Sequence, residues 1–260
     1  MIGIFDSGVG GLSILRELDC RLPDADILYL SDNACFPYGC RPPGWIRERA
    51  AAITRAFLER DCRLVVVACN TATVTAIESL RENFPIPFVG IVPPLKPAVT
   101  DKPEKPVVVL MTDNTAEGAK YTELAQAYAG NTRVEEIRLP ELAQVVEELK
   151  HREPEVIERL AQQIHSSLGE ENRGFRVVLG CTHYVFLRPL LEERLGPEVE
   201  VLDPCEAVAS QVLRVCEQQG ITTAQSGERK FFCTGDKERF AGQIKELLGI
   251  DNPRVERMKV

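Results

Sequence analysis

Seven short apolar runs punctuate the chain: IGIF (2–5), ILYL (27–30), LVVVA (64–68), FVGIV (88–92), VVVLM (107–111), VVLG (177–180) and VEVL (199–202). Most are continuous blocks, the pattern of strands covered on both faces, as in a parallel sheet. Between them the apolar residues recur every three or four positions. Over 154–168, Val156, Ile157, Leu160, Ala161, Ile164 and Leu168 share one helical face, and Pro154 suits a first turn. Over 206–220, Val208, Val212, Val215 and Cys216 do the same, and Gly220 supplies a stop. Strands alternating with amphipathic helices predict an α/β fold with mostly parallel sheets. Two proline-containing transitions, GIVPPLKPA (90–98) and VLDPCEAVA (201–209), follow strands, and no helix interior tolerates the prolines of the first. They are read as the crossings of a discontinuous first domain (1–95 and 207–260) into and out of a second (96–206).

Two of the strand ends share one grammar. In VVVACNTAT (65–73) and VVLGCTHYV (177–185), three apolar residues are followed by a small residue, a cysteine and two hydrogen-bonding side chains. Upstream of each lies another strand that runs into a polar cluster, IGIFDSGVGG and VVVLMTDNTAEG, which hints at an internal duplication. A site between such halves would see one cysteine from each side. In open α/β sheets, ligands sit outside the carboxyl ends of the strands, where helix N-termini also point. The helix dipole and unpaired N–H groups there favour thiolate over thiol. Asn70, Thr71, Thr182 and their amides offer hydrogen bonds to a carboxylate.

Two thiols have a specific use. Inverting a stereocentre by proton transfer needs a base on one face of the carbon and an acid on the other. A thiolate paired with a thiol serves in both directions, with the roles exchanged. Asp6, in FDSGVGG, and His183, two residues from Cys181, are natural supports, and Gly8, Gly10 and Gly11 permit a tight turn. His151 and His165 lie in helical, charged surroundings and take no role. The other cysteines, Cys20, Cys35, Cys40, Cys62, Cys205, Cys216 and Cys233, are read as small buried hydrophobes.

Composition narrows the partners. The chain of 260 residues carries 31 basic and 39 acidic side chains, a net charge of −8, and no basic stripe for phosphates, so nucleic acid is a poor partner. Nine cysteines without a CxxC pair argue against a disulfide framework or structural zinc. No segment approaches the roughly 20 apolar residues of a membrane span. The N-terminus enters an apolar run at residue 2 with no basic leader, so a cytoplasmic, reducing location is expected.

Taken in order, FDSGVGGLSIL (5–15), DNACFPYG (32–39), ACNTAT (68–73), VGIVPPLKPA (89–98), LGCTHY (179–184), LDPCEAVA (202–209) and FFCTGDKERF (231–240) resemble the cofactor-independent aspartate/glutamate racemases, in particular their glutamate racemase branch. The resemblance implies two pseudo-symmetric α/β domains with the active site in the interdomain cleft. It implies racemisation of glutamate without cofactor or metal, D-glutamate supply for peptidoglycan, a homodimer and, in some members, activation by a cell-wall precursor. It implies that Cys69 handles the proton of the D-enantiomer and Cys181 that of the L-enantiomer, supported by Asp6 and His183. It also implies that Ser7, Tyr38, Gly39, Asn70, Thr71 and Thr182 hold the substrate, with Thr115 and Glu147 near the site. The chain departs from the family pattern at Val185, where proline is usual, at Gly118, where serine is, and at Leu139, where cysteine is. Three other readings remain: an aspartate racemase on the same thiols, a hydrolase using Cys181 with His183, and a carboxylate-binding protein. Two residues apart on a strand end, Cys181 and His183 are expected to point awkwardly for a relay.

Overall fold

In a computed structural model of the protein, which describes residues 1–130, 132–169 and 174–260, the chain forms two compact units, Met1–Ile91 with Cys205–Val260, and Val92–Pro204. The first begins β1 (Ile2–Asp6), α1 (Leu12–Arg21), β2 (Ile27–Ser31), α2 (Pro43–Leu58), β3 (Leu64–Val67), α3 (Asn70–Asn83) and β4 (Phe88–Gly90). The second contains α4 (Leu95–Thr100), β5 (Val107–Met111), α5 (Asp113–Ala116), α6 (Ala119–Tyr128), β6 (Val134–Arg138), α7 (Pro140–Glu147), α8 (Pro154–Leu168), β7 (Arg176–Leu179), α9 (Arg188–Leu195) and β8 (Glu200–Leu202). The first unit is completed by α10 (Cys205–Gln219), β9 (Arg229–Cys233), α11 (Lys237–Leu248) and β10 (Val255–Arg257).

All seven expected strands form. β1, β2, β3, β5 and β7 are buried at every position, as continuous apolar runs between two helical layers require. β6 (VEEIR) and β10 (VER) carry few apolar residues because they are sheet edges, where a covered face is not demanded, and in β9 (RKFFC) the apolar residues fill only the second half of the strand. α8 buries Ile157, Leu160, Ala161, Ile164 and Leu168, and α10 buries Val208, Val212 and Cys216 before Gly220 turns the chain with a φ of 62°. One expectation needs adjustment. Pro97 does lie in a helix, but in the first turn of α4, where a missing N–H removes no intrahelical bond.

The sheets carry the duplication. Their orders are β10-β9-β2-β1-β3-β4 and β6-β5-β7-β8, with every pairing parallel. Counted from its own first strand, each unit thus contains the order 2-1-3-4. In that order the connections leave in opposite directions from the first and third strands, and the crevice between their carboxyl ends is where an open α/β sheet binds its ligand. Among the described residues no helix is long and apolar enough to cross a membrane.

Candidate active site

Each expected thiol stands at one of these two crevices. Cys69 lies two residues beyond β3 and is the N-cap of α3, with φ −125° and ψ 121°; Cys181 lies two residues beyond β7 and is the N-cap of a 3-10 turn, Thr182–Leu187, with φ −142° and ψ 138°. The small residue before each thiol closes the same bond to the neighbouring strand. Ala68 N donates to Phe5 O at 2.9 Å, and Gly180 N donates to Leu110 O at 2.7 Å. Side chains there must be small: a Cβ on Gly180 would lie 2.8 Å from the Leu110 carbonyl oxygen. Both thiols are nearly buried, at 6% and 8% exposure.

Around Cys69 the first unit gathers Asp6, Ser7, Tyr38, Asn70 and Thr71. Ser7 Oγ lies 3.8 Å from Cys69 Sγ. Asp6 is fully buried, and its Oδ1 accepts from Gly8 N at 2.7 Å, which folds the glycine loop back over the strand end. Of the glycines in that loop, Gly11 is needed for space: its φ is −64°, but a Cβ would meet Asp6 Cβ at 2.9 Å and Ala68 Cβ at 3.0 Å. Asn70, in the first turn of α3, is 3% exposed, and both its amide oxygen and its amide nitrogen lack a hydrogen-bond partner. A buried amide left unpaired costs about 1–3 kcal/mol, which points to a ligand that completes it. Thr71 is buried beside it, and Gly39 sits half-buried in the 3-10 turn Tyr38–Cys40.

Tyr38 rests on a network that the sequence patterns did not single out. Its hydroxyl donates to Asp32 Oδ2 at 2.6 Å, and Asp32, with no exposed surface, also accepts from Arg49 Nε at 2.8 Å, Arg49 Nη2 at 2.7 Å and Thr234 Oγ1 at 2.7 Å. Burial first, then the Asp32 carboxylate and then Cys69, pushes the Tyr38 phenol well above its ordinary range, so it stays a donor. The Arg49 guanidinium is held charged even more firmly than usual by its bonds to Asp32. The available signal was position: Asp32 follows β2 directly, at the carboxyl edge that carries Asp6.

In the second unit Cys181 Sγ lies 3.8 Å from His183 Nδ1, and His183 Nε2 lies 2.8 Å from Glu147 Oε1, with all three side chains buried. The expected awkward geometry is therefore not found, because the 3-10 turn brings residues two apart to one side. Glu147 ends α7. Thr115 is fully buried, its Oγ1 3.0 Å from Thr112 Oγ1, and Thr182 is buried next to Cys181. Of the family departures, Val185 is packed at 2% exposure, Gly118 is the N-cap of α6, and Leu139 gives its carbonyl oxygen to Tyr184 Oη at 2.6 Å. His151 is not in a helix; it is buried in a turn after α7, its ring 6.5 Å from Phe186. Cys20 and Cys40 are exposed, on the outer face of α1 and at the end of a 3-10 turn, so the buried reading fails for both.

Comparison with known proteins adds a family. The Asp/Glu/hydantoin racemase model matches residues 12–212. The glutamate racemase of Roseiflexus sp. (strain RS-1) is 40% identical over 250 residues, 95% of this chain and 91% of the relative, and that of Stutzerimonas stutzeri (strain A1501) is 36% identical over 249 residues, 95% and 94%. Among solved structures, Escherichia coli glutamate racemase in complex with L-glutamate and the activator UDP-MurNAc-Ala superposes with a TM-score of 0.83 at 33% identity, covering 95% of this chain and 93% of that one.

Proposed function

Because this chain belongs to the Asp/Glu/hydantoin racemase family, we propose that it interconverts L- and D-glutamate, with Cys69 and Cys181 as its two acid–base groups, and so supplies D-glutamate for peptidoglycan. The observation that carries this reading is the matched setting of the two thiols, each an N-cap two residues past the third strand of a 2-1-3-4 sheet. Racemisation needs one proton acceptor and one donor, and equivalent placement suits groups that exchange those roles with direction. Cys181 is assigned to the L-enantiomer and Cys69 to the D-enantiomer.

The remaining assignments follow the chemistry of a carbanion. Taking a proton from the α-carbon pushes negative charge toward the α-carboxylate, and preorganised amides and hydroxyls must meet it. Asn70, Thr71, Thr182, Ser7, Tyr38 and Gly39 are assigned to the substrate. Asp6 supports the Cys69 side. His183, oriented by Glu147, supports the Cys181 side. Each unit is taken as a domain carrying one thiol. The enzyme is proposed to act as a homodimer, which light scattering tests, and activation by a cell-wall precursor is read from turnover with and without UDP-MurNAc-Ala.

The test is exchange. In D₂O, wild type should place deuterium at the α-carbon of either enantiomer, and Cys69→Ser or Cys181→Ser should abolish racemisation. Absence of exchange with wild type, or full racemisation by Cys69→Ala, defeats the proposal. Turnover of aspartate above glutamate would reassign the substrate. The Cys181–His183–Glu147 chain also has the order of a nucleophile, base and orienting acid. A thioester trapped on Cys181 with an activated acyl compound would favour that hydrolase reading, which leaves the matched Cys69 without a task.

A further inference from the structure

The two half-sites can be superimposed residue by residue through their strand register. In the first unit Phe5 pairs with Val67, so two positions further on Ser7 stands beside Cys69, and there the hydroxyl is 3.8 Å from the sulfur. In the second unit the corresponding pair is Leu110 and Leu179, closed by the same backbone bond to the small residue before the thiol. Two positions further on stand Thr112 and Cys181. We propose that Thr112 is a positioning residue for Cys181, the counterpart of Ser7 for Cys69. This rests on the two-thiol reading above.

The local chemistry suits the role. Thr112 is the N-cap of α5, where a threonine ordinarily turns its oxygen onto the helix's own N–H groups, yet its side chain makes no capping bond. Its hydroxyl instead pairs with the fully buried Thr115 hydroxyl at 3.0 Å. A hydroxyl standing beside a sulfur anion can donate to it, which stabilises the anion relative to the thiol. The β-branch restricts the Thr112 rotamer and so limits how far that hydroxyl can swing.

A merely structural threonine and a thiol-positioning one are separated by isotope effects. The two products are mirror images, so the equilibrium constant is one and kcat/KM must be equal in both directions for any variant. Damage at one thiol therefore shows in which proton transfer limits the rate. With Thr112→Val, the step between L-glutamate and Cys181 becomes slower, and kcat should fall about tenfold, about 1.4 kcal/mol of barrier. The primary isotope effect with L-[2-²H]glutamate should rise while that with D-[2-²H]glutamate falls. Ser7→Ala should give the mirror pattern, Thr112→Ser should restore wild-type values, and Thr112→Ala serves if the valine variant does not fold. Isotope effects that move together or stay fixed in folded Thr112 variants, or a serine variant no better than alanine, overturn the inference. Failure of the wild type to exchange the α-proton would instead defeat the two-thiol reading itself.

Discussion

Replacing Arg49 with alanine should cost far more than the loss of an ordinary surface ion pair. The guanidinium makes two bonds to Asp32, at 2.7 and 2.8 Å, and the Asp32 side chain has 0% exposure against 15% for Arg49. Removing one partner of a buried pair costs about 3–5 kcal/mol, because the other charge is left in a low-dielectric setting. Here Tyr38 and Thr234 go on donating to the carboxylate, and Arg49 is partly wet, so the lower end applies: about 3 kcal/mol. At about 2–4 °C per kcal/mol for a domain of this size, the melting transition of the first unit should fall by about 6–12 °C. Trp45, the only tryptophan, stands edge-on to Tyr38 with ring centroids 5.6 Å apart, so its fluorescence reports on this network during urea or thermal unfolding. The pair should also be coupled: Asp32→Asn with Arg49→Ala should cost less than the two single losses added together, by about 2 kcal/mol. An Arg49→Ala loss below about 1 kcal/mol, the worth of an exposed pair, or strictly additive singles would refute the account of Asp32 as a buried charge held by its partners.

Other consequences are read by simpler assays. Asn70→Ala should raise KM for glutamate while leaving stability unchanged or raising it by about 1 kcal/mol, since the amide it removes is buried with neither atom paired; a marked fall in melting temperature would contradict this. Gly180→Ala should displace the Cys181 strand end, because its Cβ would stand 2.8 Å from the Leu110 carbonyl oxygen and 3.1 Å from Met111 Cβ, and turnover should fall at least tenfold with the first unit's melting unaffected. Glu158 is held at about 2 by hydrogen bonds from Arg194 and then Gln162, below the ordinary value of 4.5. Its favourable interaction is therefore present above pH 4.5 and lost as pH falls through 2, and its carboxyl carbon resonance should titrate near 2, returning toward 4.5 in Arg194→Ala.

The strands that matter for the sites were legible because they are central. LVVV and RVVL are covered on both faces, so burial leaves a continuous apolar signature, whereas VEEIR buries none of its five side chains and RKFFC only Phe231 and Cys233, so each satisfies the same backbone pairing with a weaker one. The helices were legible where one face alone is buried, as in α8, and blurred at α4, whose six residues include Pro97. Periodicity reports how much surface an element hides. It says little about an edge strand or a helix of one or two turns.

The site residues divide along a different line. Cys69 and Cys181 could be found because the same run of three apolar residues, a small residue and a cysteine leaves two buried strands, whereas one such thiol alone would read as a small buried hydrophobe. Asp32 sits at the same edge, after β2, but its partners come from α2 and from the turn after β9, and nothing in the linear order joins Tyr38, Arg49 and Thr234. Thr112 was hidden for another reason: a threonine before a short helix reads as an ordinary cap. Only the repeated register, Phe5 with Val67 and Leu110 with Leu179, separates its position from that of a cap. A duplicated fold thus carries a test within itself. A group in one half that meets its thiol by register predicts the residue to change in the other half, and a functional asymmetry between them must then come from residues without a counterpart, such as His183, whose equivalent two residues beyond Cys69 is Thr71.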